Sequence, residues 1–173
     1  MHSATVPAFI AMLNNIKGWL DKAAAQKDEA ELIKASLAPD MLALARQIQI
    51  ASDAAKGAAA RLTGVEAPAM PDTEASFVEL KERCDKTIAF LQSADAAAYD
   101  AGLASEVVIT FPNGAGLRFD GATFLNGFAL PNFYFHASIA YAILRAQGVD
   151  LGKQDFLGHL GQYMFPPPQP VEG

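Results

Sequence analysis

The stretch LPNFYFHASIAYAILRAQG, Leu130 to Gly148, decides how this chain is read. Apolar residues keep a helical period through Phe124, Phe128, Phe135, Ile139, Ala142 and Ile143, and Gly148 offers a C-terminal stop. The spacing therefore predicts one long amphipathic helix from about Gly121. Pro131 sits inside it. In a continuous helix its missing N–H leaves the Gly127 carbonyl without a partner and its ring crowds that carbonyl, at a cost of about 3 kcal/mol. A kinked helix running through the proline fits best, because the apolar period holds phase across it. The other reading starts a helix at Pro131 in the N1 position, after a separate short segment.

A wheel at 100° per residue sets Phe128, Phe135, Ile139 and Ile143 within about 60° of Asn132, with His136 about 40° to the other side. Both polar residues then face inward, one turn apart. With the disrupted turn at Pro131 they outline a polar pocket, its expected lining being Gln47, Asn132, Tyr134, Phe128 and Pro131. His136 is the candidate base of that pocket. It is also readable as a metal ligand or as a buried imidazole that only helps the core pack.

Working outward, three further helices are legible. Val6, Phe9, Ile10, Leu13, Ile16 and Leu20 mark the first, from about Thr5 to Ala25. Met41, Leu44, Ile48, Ala51, Ala55, Ala58 and Leu62 mark the second, from Pro39 or Asp40 to Leu62 with Gly64 as its cap, and alanine on that face implies close helix approach. On this helix Gln47 lies about 70° from the centre of the apolar face, whereas Gln49, Asp53 and Lys56 read as solvated or interfacial. Phe77, Leu80, Cys84, Thr87, Ile88 and Leu91 mark the third, with Asp72 or Thr73 as N-cap, and Asp40 reads as a cap as well. Between the third and fourth helices, EVVITF and GLRF flank PNGA, whose Asn-Gly pair suits a hairpin turn. The fold class is all-α, an antiparallel four-helix bundle with a short β-hairpin insertion between helices three and four. Residues 1–164 form the expected helical domain. Residues 165–173, rich in proline, form an extended or disordered tail.

Composition narrows the function. A formal net charge of −6 and no run of Lys or Arg argue against nucleic acid. No apolar run is long enough to span a bilayer and no basic segment precedes the first apolar residues, so a cytoplasmic protein without membrane contact is expected. The single cysteine, Cys84, reads as a buried thiol. His2 and His159, at a terminus and in a glycine-flanked tail, read as solvated. Trp19, Ile50 and Phe90 fall off the inward faces of their helices and suggest a homodimer surface. No glycine-rich phosphate loop, catalytic triad, cysteine pair or carboxylate dyad is present in the sequence.

The segment around His136 resembles the last helix of the DinB/YfiT-like superfamily, bacterial four-helix bundles regarded as metalloenzymes. There a His-x-x-x-His helix, often continued as Arg-Gly-Gln and closed by Leu-Arg-x-x-Gly, supplies two metal ligands, and helix two supplies a third histidine. Asn132 and His136 occupy the His-x-x-x-His positions here, and ILRAQG matches the ending. The phrases LAPDMLALARQIQIASDAAKGAAARL and FALPNFYFHASIAYAILRAQGV further resemble a family of unknown function within that superfamily, and the likeness runs from VPAFIAML to DFLG. Asn132 departs from the first histidine, Gln47 takes the helix-two position, and Ala137-Ser138-Ile139 replace Arg-Gly-Gln. One imidazole with two neutral amides suits Zn²⁺ or Ni²⁺ poorly. The expectation is a small-ligand-binding member, or a degenerate one whose metal site is lost, with no cofactor. The alternatives are a metal-dependent thiol transferase or hydrolase using His136, with Zn or Ni as the resemblance implies, and a homodimeric assembly protein without chemistry.

Overall fold

Small side chains set how closely the central helices pack. The computed structural model describes residues 1–165. In chain order it contains α1 (His2–Ala24), a single-turn α2 (Glu29–Leu32), α3 (Leu44–Thr63), α4 (Phe77–Ser93), a short α5 (Ala96–Ala101), β1 (Glu106–Thr110), β2 (Gly116–Asp120), α6 (Gly121–Phe124), α7 (Leu130–Ala146) and α8 (Lys153–Phe156). Helices α1, α3, α4 and α7 form the bundle, and the hairpin stands between α4 and α7, as the sequence predicts. Ala51, Ala55, Ala58 and Ala59 on α3, with Ala137 and Ala140 on α7, are almost wholly buried and let these two backbones approach. Among the described residues, no helix is long and apolar enough to cross a membrane.

Three turns behave as their residues demand. Gly64 ends α3 at φ 74°, Gly148 follows α7 at φ 78°, and Gly114 makes the hairpin turn at φ 83°, all in the left-handed region that glycine enters without steric cost. The hairpin pairs Glu106 with Asp120 through Thr110 with Gly116. Its Val107 and Phe119 face the bundle, and its opposite face carries Val108 and Arg118.

The helix runs through Pro131. A π-turn (Leu125–Ala129) joins α6 to α7, with the Leu130 N–H donating to the Leu125 carbonyl five residues back. Widening that turn moves the preceding backbone off the proline ring, which is how a proline is accommodated inside a helix without ending it. The continuous reading is therefore the correct one, with a widened turn as the relief.

Other expectations need correction. The inward face of α7 is formed by Phe133, Ala137, Ala140, Ile143 and Leu144, continued from Ala129 of the π-turn, so Ile143 is inward as expected whereas Phe135 is 55% exposed. A wheel weighted toward large residues misplaces a face that packs through alanine. Asp40 and Asp72 cap nothing. The first N–H groups of α3 instead meet loop carbonyls, Leu44 to Ala35 at 2.9 Å and Ala45 to Ile33 at 3.2 Å. Helix α4 is capped by Ser76 and Glu79 in a reciprocal box. Trp19 is 1% exposed, because the segment after α7 folds back across α1. Its indole stacks on Phe156 at 5.5 Å and donates to the Asp155 carbonyl at 3.0 Å. Phe90 packs against the core and Ile50 is half-buried, so these three residues form no common exposed face. The proline-rich residues 166–173 of the expected tail lie outside the described residues.

Candidate functional site

The first turn of α3 brings Gln47, 2% exposed, against α7. Its Nε2 donates to the Leu42 carbonyl at 2.9 Å, so Oε1 is turned toward His136 and accepts from Nδ1–H at 2.7 Å. That geometry fixes the tautomer: the proton sits on Nδ1, and Nε2 carries the free lone pair. Phe135 lies edge-on to the imidazole, with ring centroids 5.1 Å apart. Burial first, and the charge of Arg46 second, hold the imidazole below its usual pKa. His136 is thus a neutral imidazole held in one orientation at pH 7.

Asn132, one turn earlier, does not join this pair. Its amide makes no hydrogen bond among the described residues and lines a different cavity of about 200 Å³, walled by Ile50, Ala54, Ile109, Phe124 and Phe128, with Asp53 and Arg61 at its edge. Gln47 and His136 lie outside those walls. Pro131 is exposed, and Tyr134 sits on another flank of α7, edge-to-face with Phe133 at 5.1 Å, its phenol pKa raised by burial. The anticipated pocket is therefore split: a Gln47–His136 pair, a cavity holding Phe128 and Asn132, and two residues in neither.

The largest polar cluster escapes sequence reasoning. Arg83 of α4, 1% exposed, donates to Asp53 at 2.8 Å, Glu74 at 2.9 Å and Ser52 at 3.2 Å, and Asp72 lies 3.0 Å away. Ser52 also hydrogen-bonds Thr87 at 2.8 Å, and Gln49 donates to Glu74 at 2.9 Å. Asp72 is shared with Arg46, and Asp53 with Lys56 at 2.9 Å. Gln49 and Lys56 are consequently buried, contrary to expectation, since the loop from Gly64 to Ser76 is tied down over that face of α3. The available signal was Arg83 beside Cys84 on an otherwise apolar face, followed in space by the acidic PDTE loop. Every carboxylate there already has a cation, which marks the cluster as a clamp on the loop.

The remaining histidines are docked. His159 Nδ1 lies 3.1 Å from Asn15 Nδ2, which also donates to the Phe156 carbonyl at 2.8 Å, so the imidazole accepts. His2 packs edge-to-face on Tyr99 at 5.4 Å. Neither approaches His136 as a third ligand: no group of three His, Cys, Asp or Glu side chains suited to a metal exists among the described residues. With Nδ1 of His136 already engaged by the Gln47 amide and the Arg46 cation as its charged neighbour, the donor set does not fit a Zn²⁺ or Ni²⁺ triad.

The four-helix bundle with its hairpin insertion defines a DinB-like protein, and the polar pair lies between its α3 and α7. The chain is similar to the crystal structure of a DinB family member protein from Shewanella denitrificans at 1.83 Å, with 36% identity over 98% of this chain and 95% of that one and a TM-score of 0.82. Residues 1–157 match the family described as Domain of unknown function (DUF1993), and the chain belongs to that family. No functionally curated protein matches it.

Proposed function

We propose that this protein is a small-ligand-binding DinB-like bundle in which a hydrogen-bonded Gln47–His136 pair stands where the superfamily's metal triad would be. The observation that carries the reading is the cavity beside Asn132. It has about 200 Å³, a mainly apolar wall and an amide free to orient a guest. The Gln47–His136 bond supports it by setting the register of α3 against α7, since a buried polar pair is costly to misalign.

The test is a thermal-shift panel of small polar aromatics on the full chain, run beside a Zn²⁺ and Ni²⁺ titration. Ligands that bind the folded state raise the melting temperature in proportion to concentration over Kd, and Asn132→Leu should remove that rise. Stoichiometric metal uptake at micromolar concentration, lost in His136→Ala, would overturn the reading in favour of a metal-dependent enzyme. So would a panel in which no compound stabilises the protein.

A further inference from the structure

Arg61 is set apart from the other cations of α3, both of which are paired. Arg46 and Arg83 each reach carboxylates, and Lys56 reaches Asp53. Arg61 is exposed and pairs with no carboxylate among the described residues; its Nη1 donates only to the Gly57 carbonyl at 3.2 Å, one turn back. Its guanidinium carbon lies 5.8 Å from the centroid of the Phe124 ring. In a chain of net charge −6, a guanidinium without a carboxylate partner, set over an aromatic ring and lining the same cavity, is a specific arrangement.

The rest of that cavity completes a recognisable complement. Phe124 and Phe128 stand nearly parallel, with centroids 6.1 Å apart and planes 24° apart, and Ile50 and Ile109 also line the space. An apolar cavity of ~150 Å³ accepts benzene, so about 200 Å³ leaves room for a six-membered ring carrying one small polar group. Asp53 also borders the space and would repel an anion if it were free. Its Oδ1 is held by Arg83 at 2.8 Å and Lys56 at 2.9 Å, which offsets its charge. Asn132 contributes N–H donors, and Arg61 the only formal charge on the wall without a counter-ion.

We infer that the Asn132 cavity binds a small aromatic carboxylate, its ring between the Phe124–Phe128 wall and Ile50, its carboxylate shared by Arg61 and the Asn132 amide. This assignment rests on the ligand-binding reading above and adds the chemical class. Guanidinium and carboxylate match as planar groups and form charge-assisted hydrogen bonds, so charge discriminates among ligands of one shape.

The test uses benzoate and benzyl alcohol, equal in ring size, titrated into the full-length ¹⁵N-labelled protein with amide shifts followed by NMR. Saturable shifts are expected at Ala54, Phe128 and Ala129, with benzoate binding about tenfold or more tightly than benzyl alcohol. Arg61→Gln, at an exposed position that tolerates the change, should erase that preference, bringing benzoate to the affinity of benzyl alcohol. Equal affinity for the two probes, or a preference that survives Arg61→Gln, would refute the carboxylate assignment and leave the cavity reading standing. Shifts from neither probe at tens of millimolar would refute both.

Discussion

Replacing Arg83 by alanine tests whether the buried clamp on the loop between α3 and α4 is understood. Breaking a buried ion pair costs roughly 3–5 kcal/mol, because the partner is left charged and dry. Three carboxylates surround this guanidinium, but they are not equally dependent on it. Asp53 and Asp72 are 39% and 37% exposed and retain Lys56 and Arg46, whereas Glu74 is 12% exposed and keeps only the amide of Gln49. One carboxylate is thus stranded, which puts the expected loss near the lower end, about 3 kcal/mol at pH 7. With a urea m-value of about 2 kcal/mol/M, the midpoint should fall by roughly 1.5 M, read by circular dichroism. The pH dependence is more telling. In the native protein burial pushes the Glu74 carboxyl up, but hydrogen bonds and charge from Arg83 hold it below the usual range. Its contribution is therefore present above the ordinary carboxylate pKa and lost as pH falls through the depressed folded value. Without Arg83, burial is opposed only by the hydrogen bonds from Gln49 and the backbone, so the carboxyl moves upward from its native value and acidification relieves the variant. The gap between the two proteins should narrow from pH 7 to pH 4, and Glu74→Gln added to the variant should recover much of the loss at pH 7. A gap below about 1 kcal/mol, typical of exposed pairs, or one that does not change with pH, would refute the argument.

Three other outcomes follow from the coordinates. For His136, folding lowers the imidazole pKa, so the unfolded chain binds more protons between the folded value and about 6.5; stability is full above that range and declines as pH falls through it. Arg46→Gln should raise the His136 pKa measured from its ring proton shifts, and an unmoved titration would show that the guanidinium charge does not reach the ring. A Cβ at Gly102 would collide with the backbone carbonyl of Leu62, so Gly102→Ala should cost about 1–3 kcal/mol or more, whereas Gly18→Ala, with open space around it in α1, should stabilise by about 0.5–1 kcal/mol; thermal melts of both variants check the contrast. Cys84 is fully buried and its thiol is pushed up to about 12 by desolvation, so a thiol reagent should modify the native protein only as fast as it opens and react at once in denaturant.

Periodicity carried most of the fold. The face of α3 through Leu44, Ile48, Ala51, Ala55, Ala58 and Leu62 is buried as spaced, and the Asn-Gly turn makes its hairpin. Such signals are local and repeat along the chain. What failed was nonlocal. Trp19 is polar-facing on its own helix and becomes core only when Phe156, far along the chain, lies on it. Gln49 and Lys56 are buried by a loop whose path depends on Arg83. The candidate site shows the same division. The Gln47–His136 contact can be anticipated from two wheels and a family likeness, but not the separation of Asn132 from it, which depends on how α7 is rotated against α3. Small residues govern that rotation, and a wheel read by side-chain size gives them too little weight.

Pro131 connects the fold to the cavity. A helix that simply stopped there would release Phe124 and Phe128 from the frame of α7, and an undisturbed α-helix would place no widened turn beside Asn132. The π-turn does neither: it keeps α6 continuous with α7 while letting Phe124 lie under Arg61 and Phe128 stand beside it. The hairpin then adds Ile109 from β1, and α3 adds Ile50 and Ala54. Each wall comes from a different element, so the cavity depends on the whole arrangement, and π-turns of this kind are frequent at functional sites because they aim side chains that regular helix would not. The Gln47–His136 bond fastens α3 to α7 one turn beyond Asn132 and keeps these walls in register. Two features that look unrelated in the sequence, a proline in a helix and a glutamine facing a histidine, thus act on the same groove, one shaping it and the other fixing the helices that wall it.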